Sequence, residues 1–145
     1  MSVGITFGAW DLLHSGHVHF LRSCQAKCDV LIVGLHVNPS IERPDTKETP
    51  VQSVLERYWQ VQPYSNAVIP YETEADLQNI LAMVQPLDYY FLGSDYMHKQ
   101  LPERALQICS ELEITISYIP RLHTYSSTDL RKRIRDKNDQ TKNKD

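Results

Sequence analysis

Short apolar, β-branched runs alternate along the chain with longer segments whose apolar residues recur every three or four positions. Val3 to Phe7 and Val30 to Leu35 are runs of the first kind. Between them "HVHFLRSCQAK" sets Val18, Leu21, Cys24 and Cys28 at helical spacing, which predicts a βαβ unit. "TPVQSVLERYWQV" predicts a second helix, with Thr49 as cap, Pro50 at the first helical position and Val54, Leu55, Tyr58 and Val61 on one face. "AVI" at 67–69 follows as a strand. "TEADLQNILAMVQP" carries the clearest helix signal: Thr73 as cap, Asp76 three residues later, a stripe of Leu77, Ile80, Leu81 and Val84, and Pro86 as the stop. "YYFL" at 89–92 is the next strand, Pro102 opens a helix through Leu112, and "ITISYI" at 114–119 is the last strand. "SSTDLRKRI" starts a terminal helix with hydroxyl and acidic caps. Residues 1–135 therefore read as a single domain, and 136–145 as a polar tail expected to be disordered.

Strands and helices alternate without internal repeat, and connections between parallel strands are right-handed almost always. The expected architecture is a three-layer, Rossmann-like α/β domain with a central parallel sheet. Ligands of such folds bind beyond the carboxyl ends of the strands. Three informative segments fall at that edge: "GAWDLLHSGH" after the first strand, "GSDYMHK" after "YYFL", and "PRLHTYSST" after "ITISYI".

Composition narrows the classes. The chain has 145 residues, 41% of them hydrophobic, which is enough for one core. A net charge of −3 gives no general attraction for nucleic acid or anionic membrane, so neither is an expected partner, and affinity for an anion must come from local cations and amides. Three cysteines without a CxxC pair fit reduced thiols better than zinc or a disulfide framework. The longest apolar run, Val30 to Leu35, cannot span a bilayer, and no basic residue precedes Arg22, so the expectation is a soluble, cytoplasmic protein without a signal segment.

The candidate chemistry begins at His14 and His17. A helix N-terminus offers unpaired amides and a positive dipole end, and two imidazoles there, with Gly16 between them, make a pocket for phosphate oxygens. A lone histidine would more simply cap the helix or bond within the core; two at this spacing favour function. Metal ligation lacks the three protein ligands a catalytic zinc requires. In "YSSTDLR", Ser126, Ser127 and Thr128 stand at another helix start, where capping accounts for one hydroxyl and not three. Arg121, Lys47 and Arg57 are cations that could neutralise a polyphosphate, although each alone fits a solvated surface charge.

Taken together these residues resemble the nucleotidyltransferase superfamily: "GAWDLLHSGH" is similar to the GxFDxxHxGH signature, and "YSSTDLR" to its ISTT or SST motif. Within it, "DLLHSGH", "LER", "VIP", "LGSDY" and "IPRLHTYSST" follow the order of small cytidylyltransferases of the glycerol-3-phosphate cytidylyltransferase type, from Val3 to Ile134. The resemblance implies transfer of a cytidylyl group from CTP to a phosphorylated alcohol, glycerol 3-phosphate first among them, by in-line attack of the acceptor phosphate on the α-phosphorus with release of pyrophosphate. No nucleophilic side chain is needed, because the acceptor is already anionic and catalysis comes from alignment and charge stabilisation. By the same resemblance His14, His17, Lys47 and Arg121 are the catalytic set. Phe7, Gly8, Ala9, Trp10, Asp11, Gly16, Arg57, Gly93, Asp95, Tyr125, Ser126, Ser127 and Thr128, with Arg121 again, bind the nucleotide. Asp95 and Arg121 would lie around the cytosine or ribose, while Asp11 would position the loop or serve only as a turn residue. Magnesium is expected to be held mainly by the phosphates and not by protein side chains. The family resemblance also implies a homodimer, with Tyr58 and Trp59 at the interface or, by the same spacing, in the core.

The chain departs from the family pattern at several places: Trp10 for the signature phenylalanine, Leu122 for a threonine, Cys28 for a helix-ending glycine, and Asn38 and Asn66 where acids are usual. The last two bear on the acceptor. Arg43 stands near Lys47 in a loop where two lysines are common. "SSTDLR" is also similar to the SSTxxR motif of adenylyltransferases, which keeps ATP as the second donor, and a non-catalytic nucleotide-binding module would be free to lose a histidine that this chain retains. If neutral imidazole is needed, activity is expected to fall below about pH 6.

Overall fold

The alternating pattern folds into one wholly parallel, five-stranded sheet in the order β3-β2-β1-β4-β5, seen in a computed structural model that describes residues 1–121, 132 and 134–137. The strands are β1 (Val3–Gly8), β2 (Val30–His36), β3 (Ala67–Tyr71), β4 (Tyr89–Gly93) and β5 (Thr115–Ile119). The helices are α1 (Ser15–Lys27), α2 (Val54–Val61), α3 (Glu74–Met83) and α4 (Glu103–Glu111). Lys132 and residues 134–137 are also helical. Short 3₁₀ turns at Gln62–Tyr64 and Ser94–His98 follow α2 and β4. The start expected for the terminal helix lies outside the described residues.

Parallel pairing requires crossovers, and the crossovers place helices on both faces of the sheet. Side-chain alternation then divides the core in two. Leu31, Val33, Leu35 and Phe91 point toward Leu21 and Cys24 of α1 and Val61 of α2. Ile5, Ile32, Tyr90 and Leu92 point toward Leu77 and Leu81 of α3 and Ala105 and Ile108 of α4. The result is the expected three-layer, Rossmann-like arrangement.

Helix α3 begins as its sequence predicts, with Thr73 Oγ1 accepting from the Asp76 N–H (3.0 Å) and Asp76 returning the bond to the Thr73 N–H (3.1 Å). Helix α2 does not begin at Pro50. Its cap is Ser53, whose hydroxyl accepts from the Glu56 N–H (3.1 Å) while the Glu56 carboxylate accepts from the Ser53 N–H (3.1 Å). This reciprocal pair satisfies two terminal donors at once, which Thr49 followed by proline cannot match. Helix α2 turns Val54, Arg57, Tyr58 and Val61 to the core, which leaves Leu55 outward at 54% exposure and Trp59 at 59%.

Two of the departures have structural roles. Cys28 ends α1 in extended backbone (φ −143°), so no left-handed glycine is needed there. Asn66 bonds Leu31 twice, its own N–H to the Leu31 carbonyl (2.8 Å) and its Oδ1 from the Leu31 N–H (2.9 Å), which prolongs the β2–β3 pairing at the amino edge of the sheet.

At the opposite edge, β1 and β4 pair only at Gly4 with Tyr89 and Ile5 with Tyr90 and then diverge. The buried Thr6 hydroxyl, donating to the Phe91 carbonyl (3.1 Å), bridges the start of the gap. This is where the strand order reverses, the position at which such sheets open a crevice.

Candidate active site

The turn that leaves β1 is strained and held from two sides. Trp10 (φ 55°) and Leu12 (φ 51°) both occupy the left-handed region, which costs L-residues about 1–2 kcal/mol each. The Trp10 indole is buried, donates from Nε1 to the Gly34 carbonyl (3.0 Å) and lies so close over Gly8 that a Cβ there would sit 3.1 Å from the ring. Asp11 grips the segment before α2, its carboxylate accepting from the N–H groups of Val51 (2.9 Å) and Gln52 (3.0 Å). Gln52 answers by accepting from the Leu12 N–H (2.8 Å). Asp11 is thus a positioning residue, and Trp10 fills the signature aromatic position with an added hydrogen bond.

The turn delivers the chain to α1, whose N-terminus is capped by its own histidines. His14 Nδ1 accepts from the Gly16 N–H (3.0 Å), and His17 Nδ1 accepts from the His14 N–H (3.2 Å), with the ring centroids 4.1 Å apart. An Nδ1 that accepts a bond carries no proton, so each neutral ring holds its proton on Nε2. Capping and ligand binding therefore do not compete, because each ring uses one nitrogen for the helix and turns the other away from it. Burial, with the nearby charges of His14 and Arg121, lowers the His17 pKa from 6.5 to about 4, against a smaller opposing effect of Asp11. The His17 imidazole accordingly stays neutral well below the ordinary histidine value.

Arg57 has another role than the expected nucleotide contact. It is 1% exposed, and its guanidinium donates to the carbonyls of Gln52 (3.1 Å), Ala9 (2.9 Å), His36 (2.7 Å) and Val37 (2.6 Å). It ties the carboxyl ends of β1 and β2 to the start of α2 and does not line the cavity.

A cavity of about 1070 Å³ fills the crevice at the carboxyl edge. It brings together Phe7, Gly8, Ala9, Trp10, Asp11, His14, Gly16, His17, Lys47, Gly93, Asp95 and Arg121 of the expected site. Tyr125, Ser126, Ser127 and Thr128 lie outside the described residues. Arg121 pairs with Asp95 (3.8 Å) and donates its N–H to the Ser94 hydroxyl (3.2 Å), which fixes the chain leaving β5 against the turn after β4.

The cavity extends onto the face covered by α3, where sequence reasoning singled out only Lys47 and Arg43. Glu42, Tyr71, Glu74, Tyr90, Tyr96 and Lys99 line it there. Partial burial and the like charges of Arg43 and Lys99 pull the Lys47 ammonium below the ordinary lysine value, while Asp95 opposes them. Burial pushes the Glu74 carboxyl up; Arg43 acts against that shift and Glu42 adds to it. Tyr71 closes β3 and Tyr90 is the second residue of β4, and both placements read as core.

Among the described residues no group of three or more His, Cys, Asp and Glu side chains is placed to hold a metal ion, and no helix is long and apolar enough to cross a membrane.

Comparison with known proteins agrees with this geometry. The chain is 31% identical over 135 residues to the bifunctional protein HldE of Nitrobacter winogradskyi, covering 92% of this chain and 27% of that one. It is 36% identical over 98 residues to the HldE of Acidiphilium cryptum, covering 66% of this chain and 20% of that one, so it spans about a fifth to a quarter of these curated relatives. Among solved structures it is similar to the lipopolysaccharide core biosynthesis protein of Thermoplasma volcanium (TM-score 0.62, 21% identity, 87% of this chain and 99% of that one). It also shares its fold with pantothenate synthetase of Thermus thermophilus (TM-score 0.51, 13% identity, 83% of this chain and 55% of that one). The cytidylyltransferase-like family model matches residues 5–133, which include the strained turn, both cap histidines and the whole carboxyl edge of the sheet, and the chain belongs to this nucleotidyltransferase family.

Proposed function

We propose that the protein transfers the nucleotidyl group of a nucleoside triphosphate, CTP in the first reading, to the phosphate of a small phosphorylated alcohol. An acceptor phosphate oxygen attacks the α-phosphorus, the bond from that phosphorus to the β-phosphate bridging oxygen breaks, and pyrophosphate leaves with the bonding electrons. The observation that carries the reading is the histidine pair at the start of α1, whose Nδ1 atoms are both occupied by helix amides. Each Nε2–H is thereby pre-oriented as a neutral donor, so it can follow charge developing on the phosphate oxygens without reorganisation. Gly8 and Ala9 let backbone approach the phosphates, and Lys47 and Arg121 supply flanking positive charge.

Magnesium suits this residue set as an ion carried on the triphosphate, where it would neutralise phosphate charge. ATP is the second donor reading, supported by the likeness of "SSTDLR" to the adenylyltransferase SSTxxR motif; the family fixes the reaction class and leaves the base to residues such as Asp95. A homodimer, with the exposed Trp59 of α2 at the interface, belongs to the same proposal. The test is pyrophosphate release with magnesium, CTP or ATP, and a panel of phosphorylated alcohols. Release with CTP is the expected result, release with ATP alone replaces the donor, and silence throughout overturns the reading.

A further inference from the structure

Glu42 is out of place on the wall of a cavity that takes a triphosphate, where its charge opposes the ligand unless the carboxylate is engaged elsewhere. It is engaged at α3. Glu42 Oε2 accepts from the Glu74 N–H (2.9 Å), one of the amides at the positive end of that helix that have no partner within it. Helix α3 does not need this bond to begin, because Thr73 and Asp76 already cap each other and Asp76 also accepts from the Glu72 N–H (3.2 Å). The bond therefore serves the segment that brings Glu42 and not the helix that receives it.

That segment runs from Asn38 to Gln52 and carries Lys47. Its ends are fixed to the scaffold of the α1 half, where Arg57 donates to the Val37 carbonyl (2.6 Å) and Asp11 holds the N–H groups of Val51 (2.9 Å) and Gln52 (3.0 Å). Its base is drawn together by Asn38 Oδ1, which accepts from the Ser40 N–H (3.0 Å), and by the Ser40 and Thr49 hydroxyls, 3.1 Å apart. Between these anchors residues 41–49 are all exposed, so little apolar burial holds them. Two single turns make up much of the span: the Arg43 N–H donates to the Pro39 carbonyl (3.2 Å) and the Lys47 N–H to the Arg43 carbonyl (2.9 Å), with Pro44 stiffening the second turn. Glu42 stands at the joint of the two. Its neighbour Arg43 is felt at both ends of the tie: it adds to the burial that lowers Lys47 and opposes the burial that raises Glu74.

We propose that Glu42 is a positioning residue for the donor nucleotide: its bond to the amino end of α3 holds the joint of this strap across the cavity and thereby sets where Lys47 meets the phosphates. The inference rests on the nucleotidyl-transfer reading, since it concerns how that reaction's lysine is placed. Lysine is a point charge on a flexible stem, so its effect on a phosphate depends on where the backbone delivers it. With Glu42 released, the strap keeps both ends and loses the hold on its middle. Lys47 then samples more positions, and nucleotide binding bears the entropy of ordering them.

The test uses the full chain in two measurements: calorimetry with the magnesium complexes of the α,β-methylene analogues of CTP and ATP, and trypsin digestion of the ligand-free chain, read as the rate of the cut after Lys47. Glu42→Ala should speed that cut about fivefold and weaken the analogue that binds by about the same factor. Glu42→Gln keeps an acceptor oxygen and should restore both to within about twofold of wild type. Lys47→Ala should weaken binding about tenfold. Adding Glu42→Ala to it should weaken binding no further, because a tie that acts through Lys47 then has nothing left to place. All variants are expected to keep the wild-type melting midpoint, since α3 retains its own cap. Absence of nucleotide binding by the wild-type chain would overturn the transfer reading and this one with it. Where the wild-type chain binds, four results would overturn the assignment of Glu42 alone: affinity or cutting indifferent to Glu42→Ala, Glu42→Gln as weak as Glu42→Ala, losses that multiply in the double variant, or a melting midpoint lowered by Glu42→Ala.

Discussion

The two halves of the cavity are built on different principles. The α1 half is rigid and over-determined: two left-handed residues, a buried indole bond, an aspartate clamp and a pair of cap histidines all converge on one short turn. The α3 half is a wall of core tyrosines closed by long, exposed cations from the loop before α2 and from the turn after β4. Reaction chemistry common to a family needs the first kind of construction, because donors must be in place before charge develops. Substrate choice needs only the second kind, which can change by side chain without disturbing the backbone.

If that division is right, damage to the halves has different consequences. The largest effect is expected from His14→Ala with His17→Ala, which should lower the rate of pyrophosphate release about a hundred- to a thousandfold, measured at saturating acceptor. A drop confined to acceptor KM would assign the histidines to the wrong half. Next comes Arg57→Met, which strands four carbonyls at the ends of β1, β2 and the α2 lead-in. A loss of roughly 3 kcal/mol is expected, about 10 °C in melting midpoint.

A pH titration of stability reports on the α1 half through His17. The folded protein keeps His17 neutral to about 4, whereas the unfolded chain protonates it near 6.5. In that window the unfolded state holds the extra proton, so stability falls as pH drops from 6.5 to 4 and levels off below, by up to roughly 3 kcal/mol. Denaturation of His17→Gln at several pH values should lack that component. The smallest change expected is Gly8→Ala, whose Cβ would push on the Trp10 ring at 3.1 Å. A cost of about 1–2 kcal/mol, seen as a lower denaturation midpoint, is consistent with overpacking beneath the turn.

How legible each half is in the sequence follows from the same contrast. The alternation of strands and helices, the Thr73 cap and the histidine pair are local patterns, and local patterns can be read along a chain. The start of α2 was harder because Thr49-Pro50 and Ser53-x-x-Glu56 both signal a helix end, and only the second closes a reciprocal pair. Arg57 could not be read as buried, since its partners are carbonyls from three separate segments. Glu74 looks like a first-turn helix acid and Tyr71 like a strand-end core residue, and their common cavity exists only once β3, α3 and β4 are assembled.

The central claim is that the histidine-capped start of α1 binds the triphosphate. Calorimetric titration of the magnesium nucleotide analogues into the wild-type chain and the His14→Ala, His17→Ala variant addresses it directly. Saturable one-site binding that weakens at least about tenfold in the double variant is expected; binding that ignores both histidines, or no saturable binding at all, would contradict it.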